Sequence, residues 1–292
     1  FMRLLIPTPA QDRSMKKEMQ TKPCAIVVWY NPTKEYVKNI RSYLPYVSRV
    51  IVVDNSESEN DELLRDLDNV EYYCRGENTG ISDALNFGFS IAEQYNCDYV
   101  ATFDQDSFFT LDQSARYFDI EFPKITNTDI AVIGPSRSFP LEKFAVERTS
   151  VITSGSIVSI DAWKKVGGFN SSLFIDQVDH DFCFRLIRKG YKVIQTMSVY
   201  MEHEIGSPVE LDIFSFKFSS SNHNPQRCYY IARNRLYLRK EFPDFYRPYA
   251  RMLLRDIVNI VLIEESKYRK IRAVIFGITD HFRGKYGRRD IG

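Results

Sequence analysis

From Lys22 onward, unbroken apolar runs alternate with segments whose apolar residues recur at helical spacing. "CAIVVWY" at 24–30 is a β-branched run halted by "NP", "KEYVKNIRSYL" repeats apolar positions at i, i+3 and i+4, and "RVIVVDN" is a second apolar run ending in polar residues. This predicts a βαβ unit. The alternation continues, with "DELLRDL" predicting a helix, "VEYYC" a strand, "ISDALNFGFSIAEQY" a longer helix and "DYVATFD" a strand. Farther on, "KVIQTMSVY" reads as a strand, and "RPYARMLLRDIVNIVLIEESKYRKIRAVIFGI" is helical in pattern, its apolar positions set among Arg and Lys. Strands apolar on both faces and separated by helices predict an α/β fold with a mostly parallel sheet flanked by helices. Such sheets bind ligands beyond the carboxyl ends of their strands. Three predicted strand ends carry polar clusters there: "WYN" at 29–31, "VDNS" at 53–56 and "FDQDS" at 103–107.

Composition narrows the setting. A chain of 292 residues that is 44% hydrophobic can fill the core of an α/β unit. The expected organisation is a loose N-terminal extension over 1–21, one α/β domain over 22–240 and an amphipathic helical extension over 241–292. A formal net charge of +1 predicts no long-range attraction to nucleic acid, although "KYRKIR" and "HFRGKYGRR" concentrate basic residues near the end. The five cysteines show neither a zinc knuckle nor a CxxC, and their odd number argues against a disulfide framework, so reduced thiols and a reducing compartment are expected. "IVNIVLI" follows Asp256 and precedes Glu264 and Glu265, too short an apolar run to span a bilayer. The first residues lack the apolar core and cleavage site of a secretory signal, so the sequon "NSS" at 170–172 carries no weight.

Glycine placement removes two nucleotide sites, since neither GxGxxG nor GxxxxGK[ST] follows the first strand. Phosphates must be met otherwise. Asp104 and Asp106 at a strand end offer hard oxygen ligands for Mg²⁺ or Mn²⁺ bridging a diphosphate; alone, the pair serves equally as a solvated turn or helix cap. "FIDQVDHDFCFRL" carries Asp176, Asp179 and Asp181 around His180, a pattern that by itself describes an acidic helix N-terminus favoured by the helix dipole. Asp181 stands four residues before Arg185, at ion-pair spacing.

Taken in order, "IVVWYNP", "VIVVDNS", "ENTGISDALNFGF", "FDQDS", "TSGSIVSIDAWKKVGGF" and "FIDQVDHDFCFRLIRKGY" resemble the inverting GT-A glycosyltransferases of family 2, and within them the bacterial rhamnosyltransferases of cell-surface polysaccharide assembly. The resemblance spans residues 22 to 240. It implies the Rossmann-like GT-A fold, a nucleotide-sugar donor such as dTDP-L-rhamnose, a divalent metal (Mg²⁺ or Mn²⁺) and inversion at the anomeric carbon. Carried over, it assigns Tyr30, Asn31, Asp54 and Asn55 to the base and ribose, Asn78, Gly80 and Asp83 to the rest of the nucleotide, and Asp104 and Asp106 to the metal, Asp104 also facing the ribose. His203, at an HxxG position, completes the metal site or meets the diphosphate. Asp179 falls on the position of the base that deprotonates the acceptor hydroxyl. Ser154, Gly155, Trp163 and Asp176 fall on the acceptor side, and "NPQRCYYIARNR" brings Arg227, Tyr230, Arg233 and Asn234 toward the diphosphate or a phosphorylated lipid. The chain departs from the commoner Glu-Asp form by carrying Val178 before Asp179, so an auxiliary carboxylate must come from Asp176 or elsewhere.

Several assignments have plain structural alternatives: an Asx cap for Asp54 and Asn55, a first-turn acid for Asp83, core packing for Trp163 and a solvated helix face for the Arg227 segment. The resemblance implies a glycan acceptor, free or linked to polyprenyl diphosphate. It also suggests a cytoplasmic protein whose C-terminal helices either rest on the inner face of the cell membrane or pack against the domain or a second copy. A UDP-galactofuranose or UDP-hexose donor, a sugar-phosphate nucleotidyltransferase and a non-catalytic glycan-binding module remain as alternatives.

Overall fold

The computed structural model describes residues 22–126, 128–136, 145–203, 209–213, 216–246 and 250–291; the extension expected over 1–21 lies outside them. In chain order, β1 (Cys24–Trp29), α1 (Tyr36–Tyr43), β2 (Val50–Asp54), β3 (Val70–Cys74), α2 (Ile81–Gln94) and β4 (Tyr99–Asp104) realise the predicted alternation. β1 and β2 are buried along their whole length. Cys24, Ile26, Val28, Ile51 and Val53 pack on one face with α2, while Ala25, Val27, Trp29, Val50 and Val52 pack on the other with α1. Burial on both faces is why these strands are apolar without alternation. "DELLRDL" forms only a short 3₁₀ turn at Asp61–Leu64. Its few apolar residues cannot offset the cost of nucleating a helix.

Parallel pairing of β3, β2, β1 and β4 sets Trp29 opposite Asp54, Val28 opposite Asp104 and Asp54 opposite Cys74. The polar strand ends therefore share one edge. The chain continues through β5 (Ser107–Phe108), α3 (Leu111–Ala115), β6 (Ile130–Ser136), β7 (Ala145–Glu147), β8 (Ile157–Ser159), α4 (Ile160–Lys165), α5 (Val178–Arg188), β9 (Lys192–Tyr200), β10 (Glu202–His203), β11 (Val209–Ile213) and β12 (Phe216–Ser220). The eight-stranded sheet has the order β3-β2-β1-β4-β8-β6-β9-β7, with β8 antiparallel to both β4 and β6. The sheet is therefore parallel in its first half and mixed in its second.

The expectation of reduced thiols fails. Cys24 and Cys97 form a disulfide across 73 residues, their Cα atoms 6.2 Å apart. The pairing of Cys24 with Val100 across β1 and β4 brings the turn before β4 beside the start of β1, a proximity invisible in spacing along the chain. Cys74, Cys183 and Cys228 are free thiols.

The C-terminal part comprises α6 (Pro225–Glu241), α7 (Pro243–Tyr246), α8 (Ala250–Leu262) and α9 (Lys267–Phe282). The long helical pattern breaks before Ser266, which adopts φ +51° at the start of α9. No described helix is long and apolar enough to cross a membrane. α9 lies along α6, and both share a core with Phe174 from the loop before α5. The helices thus pack on the domain rather than standing apart from it. The closest approach is at Gly277, where an added Cβ would lie 2.4 Å from the Tyr229 carbonyl oxygen. Gly277→Ala is expected to destabilise the protein by about 1–3 kcal/mol through overpacking, read as a lowered urea midpoint; an unchanged midpoint would show that the α6/α9 contact yields freely.

Candidate active site

The strand ends are tied into one rim by hydrogen bonds. Tyr30 N–H donates to Gln105 Oε1 at 2.8 Å, Asn31 N–H to Ser56 Oγ at 2.7 Å, and Asn39 Nδ2 to the Gln105 carbonyl at 2.8 Å. Tyr30 is half exposed, and Asn31 turns at φ +48°. Gln105 was missed in the sequence, although it stands between the two aspartates of "FDQDS".

Asp54 is fully buried, and both its oxygens are occupied. Oδ1 accepts from the Ser56 N–H at 2.9 Å and the Ser56 hydroxyl at 2.5 Å; Oδ2 accepts from Asn60 Nδ2 and the Tyr72 hydroxyl, both at 2.8 Å. Four donors fill a carboxylate's acceptor capacity, so in this conformation Asp54 secures the end of β2. Asn55 reaches the next loop, donating to the Gly80 carbonyl at 3.2 Å and accepting from Thr79 Oγ1 at 3.1 Å. Asn78 Oδ1 accepts from the Gly80 N–H at 3.0 Å. Gly80 has φ +85°, and a Cβ there would meet Phe174 at 2.6 Å, so this turn before α2 admits only glycine. The Ile81 N–H donates to the Phe174 carbonyl at 2.8 Å, which joins the start of α2 to the loop before α5. Asp83, in the first turn of α2, pairs with Arg75 at 3.2 Å.

Behind the Asp104–Ser107 turn lies Ser154, 3% exposed, whose hydroxyl accepts from the Asp104 N–H at 2.9 Å and donates to Ser107 Oγ at 2.8 Å. Gly155 donates its N–H to the Thr102 carbonyl at 2.6 Å. Ser154 and Gly155, expected beside the acceptor, instead brace the turn that carries the two aspartates. His203 in β10 pairs with Ser107 in β5, which sets its backbone beside the same turn.

The second acidic group sits on the loop entering α5. Phe174, Asp176 and Gln177 have φ between +62° and +66°, a costly run for residues with side chains. Asp176 forms a fork with Arg227 of α6, at 3.2 Å from Nε and 3.0 Å from Nη2, with its carboxylate 11% exposed. Burial opposes the charge of Arg227, but Asp176, and then Asp104 and Asp106, raise its pKa above the ordinary value. The charges of both aspartate groups thus act on one guanidinium, which only Asp176 touches. Three residues on, Asp179 Oδ1 accepts from the His180 N–H at 2.8 Å and lies 2.9 Å from His180 Nδ1. Burial alone would raise the Asp179 carboxyl; the imidazolium charge and hydrogen bonds of His180 hold it below the ordinary value. Burial pushes His180 down, and Asp179 more than reverses this. Asp181 is fully buried and accepts from Arg185 Nε at 2.8 Å, as its spacing predicts.

Two expected ligands face the interior. Arg233 is fully buried, and its guanidinium donates to the carbonyls of Leu173 (3.0 Å), Ser172 (3.2 Å) and Gly287 (2.8 Å). It holds backbone rather than facing a donor. Trp163 donates Nε1 to Asn86 Oδ1 at 3.1 Å and stacks 5.2 Å from Phe89, as the core-packing alternative requires.

Among the described residues, no three His, Cys, Asp or Glu converge as a ready metal cage. Asp104 and Asp106 nonetheless fit Mg²⁺ or Mn²⁺ held jointly with a substrate's phosphates, the mode in which one or two carboxylates suffice.

The strand order and flanking helices are those of the GT-A fold. Residues 24–117 match the model for glycosyl transferase family 2, and the chain is a glycosyltransferase carrying that domain. It is 28% identical, over 90% of its length and 96% of the relative's, to the dTDP-rhamnosyl transferase RfbF of Shigella flexneri. Its fold is similar to GalNAc-T7 solved with UDP, GalNAc and Mn²⁺ (TM-score 0.57, 10% identity, 91% of this chain), of which it spans 58%. It is also similar to S. aureus TarS 1-349 in complex with UDP-GlcNAc (TM-score 0.50, 15% identity, 93% of this chain and 95% of that one).

The Asp179–His180 pair carries a pH signature. The raised His180 pKa contributes stability that is complete below the unfolded value near 6.5 and lost as pH rises through the folded value; the lowered Asp179 pKa contributes stability above about 4 that is lost under stronger acid. His180→Asn is therefore expected to reduce unfolding free energy more at pH 5.5 than at pH 8.5. Equal losses in urea titrations at the two pH values would remove the ion pair from the account.

Proposed function

We propose that the chain transfers L-rhamnose from dTDP-L-rhamnose, with inversion, to a hydroxyl of a growing bacterial surface glycan carried on a polyprenyl diphosphate. The observation that carries the reading is the Asp176–Arg227 fork, three residues before Asp179, with Arg227 also feeling the charges of Asp104 and Asp106 at the carboxyl edge of the sheet. The donor sugar rests on the likeness to the dTDP-rhamnosyl transferase.

Residues 22–240 are the proposed catalytic domain. Tyr30 and Asn31 flank the base, with Asn55, Asn78 and Gly80 shaping the nucleotide's side of the rim. Asp104 and Asp106, with His203, hold a divalent cation, which when bound neutralises charge released on the leaving diphosphate. Arg227 adds a guanidinium to that charge. Asp179 accepts the proton of the acceptor hydroxyl as its oxygen bonds to the anomeric carbon; the bond from that carbon to the diphosphate oxygen breaks, and its electron pair leaves with the nucleoside diphosphate. His180 orients the carboxylate from one side. Leu254, Val258, Val261 and Leu262 line an exposed face of α8, and among residues 250–291 Lys and Arg outnumber Asp and Glu by ten to five. This face rests on the anionic inner leaflet in the proposed reading.

A panel of dTDP- and UDP-sugars with Mn²⁺ or Mg²⁺, followed by nucleoside diphosphate release, tests the proposal. Release is expected from dTDP-L-rhamnose, abolished by chelator and by Asp106→Asn, with Asp179→Asn lowering kcat about 10²-fold or more at similar donor KM. Preference for a UDP-sugar would overturn the donor, indifference to chelator the metal, and near-normal turnover by Asp179→Asn the base.

A further inference from the structure

Beyond α9 the chain doubles back, turning at Gly284 (φ +66°) and Gly287 (φ +85°). Residues 287–291 then lie against Gln226, Tyr230 and Arg233, which share one face of α6 at i, i+4 and i+7. The Gly287 N–H donates to the Ser172 carbonyl at 2.7 Å, and the Gly287 carbonyl accepts from Arg233 Nη1 at 2.8 Å. The Arg289 N–H donates to the Tyr230 hydroxyl at 2.9 Å, and that hydroxyl reaches the Arg289 carbonyl at 3.2 Å. The Ile291 N–H donates to Gln226 Oε1 at 3.2 Å, while Gln226 Nε2 donates to the Arg289 carbonyl. Alternate residues of this strap are thus bound by their backbone to side chains of α6, of which Arg233 and Tyr230 are fully buried.

Arg288 stands between two pinned neighbours, so its backbone is fixed before its side chain makes any contact. Its Nη1 donates to Glu77 Oε2 and to the Asn78 carbonyl, both at 3.1 Å. These two residues open the loop that leads into α2. Asn55 and Phe174 hold the rest of that loop at Thr79, Gly80 and Ile81. Among the described residues, Arg288 alone hydrogen-bonds Glu77 and Asn78 from outside the loop. The ion pair with Glu77 is exposed on both sides and worth little by itself. The carbonyl contact gives direction, because Asn78 also accepts from the Gly80 N–H through Oδ1, and a residue held at its carbonyl presents that side-chain oxygen in one place. Strap and loop also share a wall: Phe174, which seals Gly80, stacks 5.0 Å from Tyr230, to which Arg289 is bonded.

We infer that Arg288 is a positioning residue for the nucleotide, acting through Asn78 and keeping the loop over 76–80 in the shape that a nucleoside diphosphate meets. The inference rests on the reading that Asn78 and Gly80 border the nucleotide, and it adds to that border a residue 210 positions farther along the chain. A loop released from Arg288 spends part of its time in other shapes, and the binding-competent fraction multiplies the affinity. The effect therefore falls on nucleotide binding and leaves proton removal at Asp179 untouched.

The test pairs calorimetric binding of dTDP and of UDP, each with Mn²⁺, with amide exchange of the nucleotide-free protein, on the full chain and its Arg288→Ala and Arg288→Lys variants. The nucleotide that the wild type binds is expected to bind about three- to fivefold more weakly to Arg288→Ala. Arg288→Lys is expected to recover most of the loss, since both contacts come from one nitrogen that an ammonium can replace. Without nucleotide, Arg288→Ala is expected to speed exchange of the Gly80 amide by a similar factor, about threefold or more, while the Phe174 amide keeps its protection. Unchanged affinity in Arg288→Ala would overturn the inference. So would weakened affinity with unchanged Gly80 exchange, which would make Arg288 a direct nucleotide contact. A wild type that binds neither nucleotide would overturn this role together with the nucleotide site, whereas nucleotide binding without release from dTDP-L-rhamnose would count against the proposed donor alone.

Discussion

The grip of Arg233 and Asn234 on the loop from Ser172 to Asp176 is the constraint on which the site depends. Both side chains are fully buried. Asn234 Nδ2 approaches the carbonyls of Leu173, Ile175 and Asp176 at 2.7–3.0 Å, and Arg233 takes those of Ser172 and Leu173. Carbonyls turned this way leave Phe174, Asp176 and Gln177 in the left-handed region, a conformation costing on the order of 1–3 kcal/mol per residue. Hydrogen bonds from a charged donor, at roughly 1.5–3 kcal/mol each, are of the size needed to hold it. Phe174 then seals Gly80, Asp176 faces Arg227, and α5 begins with Asp179 in its first turn.

This grip joins two halves of the molecule that the sheet alone leaves separate. The parallel strands bring the ends of β1, β2 and β4 to one edge, and Gln105, Ser56 and Asn55 bind those ends into a rim. The clamped loop presents Asp176, and α6 carries Arg227 across to it. The C-terminal segment closes the arrangement, since the Gly287 N–H donates to the Ser172 carbonyl at 2.7 Å and Arg288 reaches the Asn78 carbonyl at 3.1 Å. The basic end of the chain thus in part returns to the loop before α2, at Glu77 and Asn78.

What was legible in the sequence follows from burial. β1, β2, β4 and β9 are covered on at least one face by apolar neighbours, so "CAIVVWY", "RVIVVDN", "DYVATFD" and "KVIQTMSVY" announced strands within a residue or two of the observed ends. The position of Asp104 and Asp106 followed from the same rule. The antiparallel entry of β8 was not legible, because a three-residue strand carries no direction in its pattern, and the Cys24–Cys97 bond was not, because pairing across the sheet is nonlocal. Arg233 and Asn234 were misread for a more specific reason. A polar side chain saturated by backbone carbonyls in the interior looks, in sequence, like one that faces a ligand. Asp54 poses the same difficulty, since only the four donors around it reveal that it is a cap.

The most direct measurement of this clamp is backbone amide exchange in Asn234→Ala against the wild type. The account predicts faster exchange at the amides of Ile81, Phe174 and Ile175, by about tenfold or more, while β1, β2 and β4 keep their protection. Unchanged exchange in that loop, together with weakened donor binding, would show Asn234 acting on the ligand rather than on the backbone, and would contradict the account.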